Sequence, residues 1–147
     1  MIIILTLVCL FIDIGSKLIV SNFIEIGHSV KIIDNFFYLT YVKNTGAAWS
    51  IFSDKPWLVL VVSEVIILGI IFYTYKNKPD NLLDKIAFAL IIGGAIGNFI
   101  DRVVYGYVID FFDFYIFGYD YPIFNVADIF IVIGVVILMI STWRCKK

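Results

Sequence analysis

Four long apolar runs constrain this chain more than any other feature. They cover roughly Ile2–Val20, Trp57–Tyr75, Leu83–Val103 and Ala127–Trp143, close to the ~20 residues that a helix needs to cross a hydrocarbon core. Lipid offers backbone N–H and C=O groups no partners, so a crossing segment must satisfy them itself as a helix or within a closed barrel. Runs of this length read as helices. The apolar share of the 147 residues is 62%, against about 45–50% in soluble domains. The expectation is an all-α integral membrane protein, one domain over residues 1–147 with four transmembrane helices. The first and last runs are short, so their ends should sit near the interface.

Charge orients the spans. Lys76, Lys78 and Lys85 crowd the brief link between the second and third runs, and Arg144, Lys146 and Lys147 close the chain. The longer connections, Ser21–Pro56 and Val104–Val126, are sparser in basic residues. Because basic loops stay inside, the second link and both termini are expected in the cytoplasm and the two long connections outside. The chain opens on MIIILTLVCLF without a basic leader, and this segment reads as a retained helix. A net charge of −1 gives no bulk attraction to nucleic acid. Cys9 lies in the first apolar run and Cys145 in the polar tail, so no disulfide is expected between them.

The outer connections are not tail-like. VKIIDNFFYLTYVKN and YGYVIDFFDFYIF are rich in aromatic and β-branched residues with partial alternation, the composition of short strands. A small outward-facing β-sheet platform, built from both connections and lying on the membrane surface, is the expected addition to the four helices.

The polar residues in the spans gather at one depth. At ~1.5 Å per residue, Asp13 and Lys17 lie roughly 16 and 22 Å from the inner end of the first span, and Asn98, Asp101 and Arg102 roughly 22–28 Å along the third. Asp128 opens the fourth span, and Asp110 lies a short loop beyond the third. A carboxylate in or beside a membrane needs a partner or a task, and two adjacent carboxylates can share one proton, the chemistry of an acid protease. Structural readings stand beside the chemical one. Asp13 and Lys17, four apart, can form a helix-packing ion pair. Asp128 reads equally as an N-cap, Asp110 and Asp113 as solvated strand residues, and Asn98, Asp101 and Arg102 as a helix end. Gly93, Gly94 and Gly97 suit close helix contact. Glu64, ~10 Å inside the outer boundary, either faces the cluster or is protonated.

Other chemistries find no residues. His28 is the single histidine, which leaves out a paired-histidine zinc site and a Ser-His-Asp triad. Ser16 and Lys17 are helix neighbours and do not face each other. No metal or organic cofactor is expected.

Four segments together resemble the lipoprotein signal peptidase family (signal peptidase II) over essentially the whole chain. They are Asp13 with Lys17, NTGAAWSIF at Asn44–Phe52, GGAIGNFIDRVVYGYVIDF at Gly93–Phe111, and FNVAD at Phe124–Asp128. The resemblance implies an aspartyl endopeptidase of the bacterial cell membrane that cuts the signal peptide from diacylglyceryl-modified prolipoproteins just before the lipidated cysteine. It implies that Asp110 and Asp128 are a catalytic dyad, that Asn44, Gly46, Asn98, Arg102 and Asn125 orient dyad or substrate, and that Asp13, Lys17 and Asp101 are supporting polar groups. Trp49 stands where the family usually has Phe, and the outer loop at Gly46–Ser53 is an expected clamp over substrate. The implied partners are the lipid-modified substrate and membrane lipid, and nothing requires more than a monomer. The rival readings are a small proton-coupled carrier relaying through Asp13, Lys17, Glu64 and Asp128, and a structural membrane subunit.

Overall fold

The computed structural model describes residues 1–46 and 55–145. Its helices are α1 (Ile2–Phe23), α2 (Pro56–Asn77), α3 (Leu82–Tyr105) and α4 (Val126–Cys145), and its strands are β1 (Ser29–Ile33), β2 (Phe37–Asn44), β3 (Val108–Ile116) and β4 (Tyr119–Asp120). All four helices are long and apolar enough to cross a membrane. Each extends past the predicted run by one or more residues at one or both ends, because polar ends such as Ser21, Asn22 and Asn77 continue the helix while adding nothing to the apolar count. The first and last helices, at 22 and 20 residues, are therefore not short.

α3 is the centre of the bundle and packs against α1, α2 and α4. Its buried face carries Ala87, Ala89, Gly93, Gly94 and Gly97, small residues that let neighbouring backbones approach when no hydrophobic force draws helices together in lipid. A Cβ on Gly93 would sit 2.6 Å from Cys9 Cβ of α1, and one on Gly97 would collide with the Asp13 carboxylate. Gly134 of α4, which no sequence pattern singles out, lies as close to α3: a Cβ there would fall 2.8 Å from the Ala87 carbonyl oxygen. The outward faces of the helices remain apolar, with Phe11, Phe72 and Met139 all exposed.

The predicted sheet is present as a four-stranded antiparallel layer in the order β1-β2-β3-β4. It closes on the bundle through a core of Val20 and Ile24 from the end of α1, Tyr41 from β2, and Ile109 and Phe111 from β3. Phe37 stacks on Phe114 at 4.5 Å and Phe114 on Phe124 at 5.8 Å, tying the strands to the segment that leads into α4. α3 stops at Gly106, whose φ of +79° is the left-handed turn that ends a helix. That turn sends the chain straight into β3. At the far end of β3, Phe117 and Gly118 both have positive φ, the two-residue turn that matches strand twist.

The bundle predicts a sharp difference between two glycines. Gly134→Ala should cost about 1–3 kcal/mol of stability through overpacking, because the new methyl meets backbone. Gly69→Ala on α2, with nothing within 4 Å of its Cβ position, should leave the unfolding midpoint in detergent unchanged or slightly higher. Equal effects at both sites would contradict this packing.

Candidate active site

Asp110 and Asp128 line one cavity of about 520 Å³, with Asn44, Asn98, Arg102, Tyr121, Pro122, Ile123 and Phe124 among its walls. Asp110 reaches it from β3 and is buried. Its Oδ2 accepts from Asn44 Nδ2 at 2.9 Å and its Oδ1 from Asn125 Nδ2 at 2.6 Å. It is not a solvated strand residue. Asp113, three positions on, is also buried, but it takes a hydrogen bond from Thr40 and stands outside this cavity.

Asp128 sits in the first turn of α4 and is not its cap. Asn125 is the cap, and the two form a reciprocal box. The Asp128 N–H donates to Asn125 Oδ1 at 3.1 Å, and the Asn125 N–H donates to Asp128 Oδ2 at 3.1 Å. The other Asp128 oxygen accepts from Asn98 Nδ2 at 2.8 Å. Asn125 is fully buried, and its amide N–H₂ bridges Asp110 and Asn98 Oδ1, the latter at 3.0 Å. One asparagine thus touches both halves of the carboxylate pair.

The remaining predicted residues surround this core. Gly46 takes part through its backbone: its N–H donates to Asn44 Oδ1 at 2.9 Å and its carbonyl accepts from Arg102 Nη2 at 3.1 Å. Arg102 also donates to the Asn98 carbonyl at 3.3 Å. Asn98, Asp101 and Arg102 do not end α3, which continues to Tyr105. Asp13, Lys17 and Asp101 are buried behind the cavity as one ionic cluster, with Lys17 Nζ 2.8 Å from Asp13 and 2.9 Å from Asp101. The pair within α1 is therefore part of a contact between α1 and α3 rather than a private salt bridge. Glu64 is exposed on α2 and joins none of these contacts. Trp49 and the expected clamp beyond Gly46 lie outside the described residues. No group of three or more His, Cys, Asp or Glu able to hold a metal occurs among the described residues. The walls at Tyr121–Phe124 carried no polar signal in the sequence. Only the aromatic run pointed to them.

A second, apolar cleft of about 570 Å³ lies between α2, α3 and α4, lined by Leu58, Val62, Ile66, Ile91 and Val135 among others. It shares Asn98, Arg102 and Ile131 with the carboxylate cavity.

The fold and site define a polytopic membrane protein with a carboxylate pair in a cleft, a layout compatible with an aspartic peptidase. A family profile described as signal peptidase II matches residues 5–144. A lipoprotein signal peptidase of Anoxybacillus flavithermus is 42% identical over 143 residues, 97% of this chain and 85% of that protein. Another, from Halalkalibacterium halodurans, is 42% identical over 144 residues, 98% and 92% of the two chains. Two solved bacterial membrane enzymes superpose with TM-scores of 0.89 and 0.85 at 36% and 38% identity, covering 99% and 96% of this chain and 89% and 91% of theirs. The chain belongs to the signal peptidase II family, and it is an aspartic endopeptidase.

Burial pushes the Asp110 carboxyl up to about 7, the neighbouring Asp128 adds to the rise, and the Asn44 and Asn125 amides oppose it. The folded protein then holds a proton on Asp110 that the unfolded chain, at about 3.9, has already lost. Stability should fall as pH climbs through that window. Asp110→Asn removes the effect, so its stability advantage over wild type should grow between pH ~4 and ~7, by at most about 1.4 kcal/mol per pH unit, and then level off. Unfolding in detergent across pH reads this directly, and an advantage independent of pH would refute the raised carboxyl.

Proposed function

We propose that Asp110 and Asp128 are the catalytic dyad of an enzyme that removes signal peptides from diacylglyceryl-modified prolipoproteins, cutting before the lipidated cysteine. The observation that carries this reading is the unequal solvation of two carboxylates in one cavity. Asp110 is buried with its two oxygens on amide donors, and Asp128 is half-buried on Asn98 and a backbone N–H. Neighbouring like charges oppose double ionisation, so the pair carries one proton near neutral pH.

The ionised member takes a proton from water, and the water oxygen attacks the scissile carbonyl carbon. The protonated member donates to the carbonyl oxygen and stabilises the tetrahedral intermediate. Collapse breaks the C–N bond, with the proton passing to the cysteine's new amino group. Arg102 orients the substrate backbone, and Asn44 and Asn98 orient the two carboxylates. The apolar cleft beside Arg102 is the seat of the substrate's own membrane segment, and lipid chains hold the substrate in the bilayer at about 0.8 kcal/mol per buried CH₂.

The basic residues around Lys76–Lys85 and at the C-terminus support cytoplasmic termini, with the sheet and the carboxylate cavity at the outer face. A proton carrier is disfavoured by the same distribution. A relay needs ionisable groups across the whole membrane depth, whereas Glu64 stands apart from the cluster.

Turnover of a lipid-modified prolipoprotein by the purified enzyme tests the dyad. Asp110→Asn and Asp128→Asn should each lower kcat by at least about 10³-fold with folding intact, and near-normal turnover by either variant would end the assignment. Val62→Trp, which fills the apolar cleft, should raise KM by about tenfold while changing kcat little. An unchanged KM would move the signal segment elsewhere.

A further inference from the structure

We infer that Lys17, Asp13 and Asp101 act as a positioning strut that sets the separation of the two cavity carboxylates by gripping the backbone immediately before each of them. The inference rests on the dyad reading above and assigns the strut a role in that reaction.

The geometry is reciprocal. Asp13 Oδ1 accepts the N–H of Ala127, the residue before Asp128, at 3.0 Å. Asp101 Oδ2 accepts the N–H of Ile109, the residue before Asp110, at 3.1 Å. Lys17 joins these two anchors through its ammonium, 2.8 Å from Asp13 Oδ2 and 2.9 Å from Asp101 Oδ2. Its third contact is Asn98 Oδ1 at 2.9 Å, and the same asparagine donates to Asp128. An ammonium has three donors and no acceptor, so all three are committed. That commitment also fixes the Asn98 amide, whose oxygen must face Lys17 and whose nitrogen must face Asp128.

Four elements are thereby locked together: α1 supplies Asp13 and Lys17, α3 supplies Asp101 and Asn98, and the held amides open β3 and α4. The exposures of Asp13, Lys17 and Asp101 are 0, 2 and 4%, so water cannot substitute for any of these contacts. Packing alone would be met by apolar residues of equal volume, often without loss of stability. An ion triad whose two carboxylates each end on the residue preceding a site aspartate does more than fill space.

The charged groups that act on Asp110 are Asp128 from α4, Lys17 from α1 and Arg102 from α3, while Asp13 and Asp101 surround Lys17. The Lys17 cation favours ionised Asp110. Because Asp110 is the member that holds the proton, Lys17→Met should move the alkaline limb of the kcat–pH profile upward. A role confined to stability predicts no such shift.

The triple variant Asp13→Asn, Lys17→Met, Asp101→Asn keeps an acceptor for each backbone amide and removes every buried charge of the strut. It should fold with wild-type thermal stability and keep KM within about threefold, yet lose about 10–100-fold in kcat because the carboxylates are no longer held in register. A wild-type kcat in the triple variant overturns the inference. So does a kcat loss that merely tracks thermal stability across the series, unfolded variants included. Asp110→Asn and Asp128→Asn run alongside: turnover surviving in them defeats the dyad itself, whereas inert dyad variants beside fully active strut variants defeat only the strut.

Discussion

An ammonium placed among helices in a hydrocarbon layer has no water to fall back on, and much of this structure follows from that. Lys17 sits 2% exposed with all three donors used. An unpaired charge at such depth costs several kcal/mol, so it must be answered by polar groups nearby. Asp13 comes from its own helix, and Asp101 and Asn98 come from α3, whose glycines allow the approach that makes the contact possible. Removing the close approach at Gly97 would drive the Asp13 carboxylate out of its place. Small residues and buried charges are two halves of one arrangement here.

The sheet extends the same logic beyond the bundle. β3 leaves α3 through a single left-handed glycine, and its first buried residues, Val108 to Phe111, pack against the end of α1 and against β2. Asp110 is carried inward by strand geometry. Its neighbours Ile109 and Phe111 anchor the strand on the hydrophobic core. The aromatic stack from Phe37 through Phe114 to Phe124 then fixes the segment that delivers Asn125 and Asp128. Two carboxylates from different kinds of secondary structure meet because an apolar platform holds both approaches rigid.

Chemically, the pair is unequal by construction. Asp110 is enclosed and held by amides, while Asp128 is half-buried at the start of a helix. Unequal surroundings let one proton be shared without ambiguity of role.

The sequence alone determined the four spans, the presence of a sheet in the outer connections and the depth at which polar groups collect, because these depend on local composition and on rise per residue. The segments carrying Asp13, Asn44, Asn98, Arg102, Asp110, Asn125 and Asp128 also identified the family. Tertiary structure alone decided how those residues combine. It made Asn125 rather than Asp128 the cap of α4, turned an expected pair within α1 into an ionic cluster across α1 and α3, left Glu64 outside it, and separated Asp113 from the cavity. It also showed that Gly134 seats α4 against α3. In each case the deciding factor was which donor could reach which acceptor across elements far apart in the chain. One-dimensional spacing carries no record of such distances, because they are set by helix packing and strand register.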